Sequence, residues 1–230
     1  MKSRRFHKVF IGLATAFVIA FSAVVSSAQT VVDKTVATVS DNVSTPELIT
    51  YSDLLWQLAL QPDAPINPPS SEALNRALQI LINQRLFALE ARRLPRSTPT
   101  DEEIDAEIKR VIALFPSTAE FERRLRTVGF DSVRDDNFRR IMEQRVAIEK
   151  YLDFRFRSFV IVTPEEERRY YEDIFVPEFR RRNPGVIVPP LDDVRGRINQ
   201  ILIEREVGED IERFLDDAKQ RAEIVILFEV

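Results

Sequence analysis

Apart from His7 near its start, the 230-residue chain has no histidine, and it has no cysteine at all. No cysteine means no disulfide, no thiol nucleophile and no lipid-modified cysteine anchor. Beyond residue 30 the missing histidine also excludes a Ser-His-Asp triad and a zinc site of the usual ligands. Carboxylates, Lys, Tyr and Ser are the catalytic side chains left. Glycine is scarce, five in all, and the four beyond residue 28 form no loop that could cradle a phosphate. Enzyme readings therefore start low, and no metal or cofactor is expected. A basic excess is lacking as well. Residues 1–30 hold four of the 33 Lys and Arg and none of the 37 Asp and Glu, which leaves 29 against 37, a net charge of −8. An acidic chain of that kind is a poor partner for nucleic acid.

The opening residues have an address-label pattern. Lys2, Arg4, Arg5, His7 and Lys8 precede an uncharged apolar run from Val9 to Val25, and Ser26, Ser27 and Ala28 supply small residues for cleavage. This layout predicts a signal peptide over residues 1–28 and a periplasmic or secreted protein, with no stable membrane insertion after cleavage. The run is long enough that an uncleaved anchor is the alternative. About 200 residues remain, enough to bury the core of one domain, residues 31–230.

That domain reads as mainly helical. Its central helix is expected over Ser71–Leu94, with Leu74, Leu78, Leu81, Ile82, Leu86 and Leu89 in one apolar stripe and Ile80, Phe87, Ala91 and Leu94 in a second. Two stripes predict neighbours on two sides. Core packing is the ordinary role of such a helix; a groove for a partner is the functional alternative. Before it, Ser52 or Asp53 is expected to cap a shorter helix. After it, Thr100/Glu103, Ser117/Glu120 and Thr163/Glu166 have capping-box spacing, and Gly129 has the position of a helix stop. A long helix follows from about Val133 to Arg157, with Phe138, Ile141, Arg145, Ile148, Leu152, Phe156 and Phe159 in its stripe. Pro177 is expected to interrupt the helix that starts at Pro164. Residues 183–190 read as a linker, and Asp192 or Asp193 opens a last helix, over 192–221, whose stripe includes Val194, Ile198, Ile201, Leu202, Phe214 and Ala218. Gly208 could bend it locally.

Within residues 150–159, KYLDFRFRSF, basic and aromatic side chains interleave. A partly buried helix end with arginines lying over apolar surface accounts for this better than nucleic-acid stacking does. Two β-branched stretches, Val31–Ser40 and Glu223–Glu229, read as strands. Each needs a partner for its backbone, and pairing the first with the last in a small sheet satisfies both.

Several of these segments together resemble the periplasmic chaperone SurA family in its N-terminal, peptide-binding chaperone domain. They are Val36–Val39, Ile49–Leu54, Leu78–Leu86, Thr100–Ile104, Phe121–Leu125, Phe138–Ile148, Val162–Glu166, and the last helix and strand. Order and spacing carry the resemblance; no single motif is diagnostic. Relatives commonly insert parvulin-type prolyl isomerase domains before the last long helix, where this chain has only Pro177–Pro190. The resemblance therefore implies the chaperone part without the isomerase part.

It implies an ATP-independent holding chaperone for unfolded or partly folded proteins, outer-membrane proteins among them. A client would bury apolar area in a crevice between the helical body and the last helix, with Trp56, Phe115, Phe121, Tyr170 and Phe175 as candidate contacts. The readings in competition are an adaptor that binds one folded partner and a prolyl isomerase. The acidic clusters Asp101–Glu103 and Glu165–Glu167 sit at helix starts, where the helix dipole already favours negative charge.

Overall fold

The computed structural model describes residues 33–92 and 98–230; the expected signal peptide, Val31, Val32, Leu94 and Pro95 lie outside them. The described chain is mainly helical with a small antiparallel sheet. Strand β1 (Thr35–Ser40) is central, flanked by β2 (Glu47–Thr50) and β3 (Glu223–Ile226). Val39 pairs with Glu47 on one side and Ile224 on the other, and Ala37 with Ile49 and Ile226. The expected pairing of the first strand with the last is therefore present. The ladder continues one residue past β3, where the Leu227 N–H donates to the Val36 carbonyl at 2.8 Å.

β2 is a strand that sequence patterning over Glu47–Thr50 does not announce. Four residues hold no strand signal alone; β1 supplies the pairing that makes Glu47–Thr50 a strand. The hairpin turns at Asn42, which takes a left-handed φ of 60°, while Asp41 Oδ1 accepts the N–H groups of Val43 and Ser44 at 3.1 and 2.7 Å.

Helix α1 (Tyr51–Ala59) begins directly after β2. Its cap is Thr50 rather than Ser52 or Asp53: Thr50 Oγ1 accepts the Asp53 N–H at 3.3 Å, and the Asp53 carboxylate accepts the Thr50 N–H at 3.0 Å. α2 (Ser71–Ala91), capped by Ser70, is the central helix. Its first stripe packs entirely into the main core with Val36, Ala37, Val39 and Ile49 of the sheet, Leu54 and Leu58 of α1, and Ala218. The second stripe is covered only at its far end. Phe87 stacks on Phe214 at 5.6 Å and tilts against Tyr151 at 6.4 Å, whereas Ile80, two turns earlier, is exposed.

Three more helices build a second core. α3 (Asp101–Ile112) starts on the complete Thr100/Glu103 box, and α4 (Thr118–Thr127) on Ser117. At the latter start only the serine half of the box forms, because the Glu120 carboxylate turns to Arg123 instead. Gly129, at φ 95°, ends α4, and the following N–H of Phe130 reaches the Leu125 carbonyl at 3.1 Å. α5 (Asp136–Arg155), capped by Asp135, completes the layer. Ile104, Ile108, Val111, Phe115, Phe121, Leu125, Phe130, Phe138 and Met142 fill the space between these helices.

Beyond a 3-10 turn at Arg157–Phe159, the chain makes a helical arm. α6 (Pro164–Tyr170) carries the full Thr163/Glu166 box and runs through a π turn at Tyr171–Phe175 into α7 (Val176–Arg182). Pro177 does not interrupt this path, contrary to expectation. A proline removes one N–H and crowds the carbonyl a turn before it; a wide π turn just upstream shifts that carbonyl away, and Pro177 falls in the first turn of α7.

After residues 183–190 comes α8 (Leu191–Arg221), which starts one residue ahead of Asp192 with Pro190 at its N-cap position and no side-chain cap, and runs unbroken across Gly208. Its first half packs Val194, Ile198 and Leu202 against Val162, Tyr170, Tyr171 and Phe175 of the arm. Its second half joins the body through Val207, Ile211 and Phe214. Ile201, expected in the buried stripe, is exposed, while the overlooked Val207 is buried.

Candidate functional site

The five candidate contact residues fall into two separate groups. Trp56, Phe115 and Phe121 belong to the second core. Phe121 has no exposed surface, its ring lies 4.6 Å from that of Phe115 and 5.8 Å from that of Phe138. Trp56 is half-buried, donates Nε1–H to the Val128 carbonyl at 3.0 Å and leans on Phe130 at 5.0 Å. Tyr170 and Phe175 lie in the arm, packed against the first half of α8, with the Arg197 guanidinium 5.1 Å above the Phe175 ring. These residues hold helices together and line no common crevice.

Between α2 and α8 there is a small cleft of about 140 Å3, floored by Leu86, Leu89, Ala218 and Ala222 and rimmed by Asp41, Glu90 and Arg221. That is well below the roughly 300 Å3 of a small-molecule site. Among the described residues, no group of three or more His, Cys, Asp or Glu is placed to hold a metal ion, and no helix is long and apolar enough to cross a membrane.

One patch of apolar surface open to solvent lies elsewhere, where α5 gives way to the arm. Phe154 is 55% exposed and Phe159 69%; their rings meet edge-on at 6.3 Å, and Ile161 beyond them is 81% exposed. Phe159 therefore leaves the buried stripe expected of it. Tyr151 and Phe156 remain inside, perpendicular to each other at 6.3 Å. The alternation in KYLDFRFRSF thus divides its aromatic residues between core and surface, a division that spacing alone could not assign.

Charged groups fix this junction. Arg157 grips both oxygens of Glu204 on α8 at 2.6 and 2.8 Å and Asp153 at 3.0 Å. The hydrogen bond from Arg157 holds the Glu204 carboxyl below the usual range. The Arg155 guanidinium lies 5.4 Å above the Phe156 ring. The exposed aromatic pair is consequently mounted on a turn bonded to two helices.

Ion pairs also stitch α3 to α5. The buried Glu107 carboxylate accepts from Arg110 at 2.6 Å and Arg145 at 2.9 Å, Arg110 continues to Glu149 at 3.0 and 2.6 Å, and Lys150 reaches Glu103 at 2.8 Å. Lys150 and the Thr100 N–H lower the Glu103 pKa, and Arg110 lowers that of Glu149. Depressed carboxylate pKa values contribute stability that is fully present above the unfolded value, about 4.3, and lost as pH falls through the folded values. The urea midpoint is thus expected to hold from pH 7 to about 5 and to drop steadily below about 4.3. Lys150→Met should flatten the drop, and a midpoint constant to pH 3 would contradict the assignment.

No protein-family model matches the chain, and neither does any curated protein.

Proposed function

We propose that this protein is an exported holding chaperone that captures unfolded or partly folded proteins without ATP, on open apolar surface and not in an enclosed crevice. The observation that carries the reading is the Phe154–Phe159 pair with Ile161. Three large apolar side chains stand in solvent around the turn locked by Arg157, at the junction of body and arm. Apolar area left open in this way marks an interaction site, and each side chain covered by a client gains roughly 25 cal/mol per Å2. Capture of this kind is weak, reversible and needs no chemistry. The order of segments shared with the SurA family supports the same reading.

The test is light scattering during refolding of several unrelated denatured proteins, with and without residues 29–230, which contain every core described above. Aggregation should be suppressed at a few-fold molar excess and ATP should have no effect. Phe154→Ser combined with Phe159→Ser should raise the amount needed about tenfold, corresponding to about 1.4 kcal/mol of lost apolar contact. Both rings are exposed, so the urea midpoint should move little. No suppression by a demonstrably folded protein would end this reading.

An adaptor for one folded partner is the second reading. β3 is an edge strand whose Val225 and Ile226 are exposed, a template for one added strand. An adaptor would protect no denatured protein and retain a single partner.

A further inference from the structure

We propose that the tip of the helical arm docks on an anionic lipid surface. α7 ends on three consecutive exposed arginines, Arg180, Arg181 and Arg182. Glu178, one turn back, bonds Arg182 at 3.2 Å and comes within 4.0 Å of Arg181, so residues 178–190 keep a net charge of +2. Gly185, at φ 83°, then turns the chain. The next two side chains point into solvent, Val186 57% and Ile187 91% exposed. This tip is not a loose loop. The Tyr171 O–H donates to the Pro189 carbonyl at 2.8 Å and fastens the returning chain to the π turn.

The two halves of the tip ask for different partners, and one partner supplies both. A polyanion such as nucleic acid would satisfy the guanidinium groups and leave Ile187 in water. An apolar protein groove would cover Ile187 and gain nothing from three arginines. An anionic bilayer offers phosphates at the depth of the arginines and the acyl boundary just below them.

Charge elsewhere supports the same orientation. Residues 31–230 carry a net −8, so the chain outside the tip carries −10 and is repelled by the surface that attracts the tip. Contact should therefore be tip-first, with the body held off. Two short apolar side chains give only weak, reversible attachment.

The absence of cysteine allows a local readout. Ile187→Cys, in residues 29–230, would carry an environment-sensitive dye, with Leu114→Cys, also exposed, as the control position. With phosphatidylglycerol vesicles at low ionic strength, the dye at 187 should shift to the blue while that at 114 should not. Phosphatidylcholine vesicles should leave both unchanged, and rising salt should reverse the shift.

Adding Arg181→Gln and Arg182→Gln should raise the lipid concentration for half-maximal shift about twenty-five-fold, near fivefold for each charge removed. Those side chains are exposed and should leave the urea midpoint in place. Equal shifts at 187 and 114, equal shifts with both lipids, or no effect of the arginine substitutions would each overturn the proposal. A shift of the same size with single-stranded DNA would also overturn it and make the tip a polyanion site. None of these results depends on whether the protein holds unfolded clients.

Discussion

Phe121→Ala should lower the stability of the fold by about 3–5 kcal/mol, the range for emptying a fully buried phenylalanine site. Phe121 has no solvent-exposed surface and sits where α3, α4 and α5 converge, in ring contact with Phe115 and Phe138. Neither neighbour can swing in to fill the gap without abandoning its own packing, since Phe138 is also fully buried and in contact with Phe130. For a chain of this size the loss amounts to roughly 10 °C in melting temperature. Urea unfolding monitored by circular dichroism is the check: the midpoint should fall with an unchanged slope. Phe159→Ala, at an exposed ring, should stay within about 0.5 kcal/mol. A Phe121→Ala cost under about 1 kcal/mol would mean that the second core is not packed as described.

The second large effect is expected at Arg124. Its guanidinium reaches from α4 to the end of α1, where Nε donates to the Ala59 carbonyl and Nη2 to the Leu58 carbonyl, both at 3.0 Å, with Ala64 as a third acceptor. The last carbonyls of a helix lack partners within it, and Leu58 and Ala59 are buried, so the arginine acts as a C-terminal cap brought in from a distant segment. Burial pushes the guanidinium pKa down, opposed by the charges of Glu120 and Asp63.

Arg124→Met keeps the stem and deletes the fork. The Leu58 carbonyl retains the Gln61 N–H at 3.0 Å, while the Arg124 bonds to Ala59 and Ala64 are lost. A cost of about 2–3 kcal/mol in urea midpoint is expected, in keeping with bonds to a charged donor. Arg124→Lys should recover less than half of it, because a single ammonium cannot span three carbonyls in the geometry of a planar fork. If Lys restores full stability, only the charge mattered and the capping role fails.

Signals that are local in sequence were readable from it. Thr100 with Glu103 and Thr163 with Glu166 start helices because their reciprocal bonds need only four consecutive residues. Gly129 ends α4 because the αL turn is a single-residue property. Signals that depend on a distant partner were not. Glu47–Thr50 becomes a strand through β1, and Pro177 sits within a helical path through a π turn that no spacing announces. Ile80, Phe159 and Ile201 keep helical periodicity yet stand in solvent, because periodicity says which face a residue shares and not how far the covering element extends. The same gap separates the candidate contacts from the open surface. Phe121 and Phe159 are both aromatic residues near helix ends, and only the packing of α3, α4 and α5 puts one inside and leaves the other out.

The place of β1 between β2 and β3 also sets a schedule for a chain delivered from one end, whether by the ribosome or by an export channel. The β1–β2 hairpin can form once residue 50 has emerged, but the other edge of β1 stays bare until residues 223–227 arrive to take Ser40 through Val36. Through that interval the molecule carries an unsatisfied strand edge over an incomplete core, since Ala218 and Phe214 arrive equally late. Its period of greatest exposure to mispairing is therefore its own synthesis, and it ends only when the last strand closes the sheet.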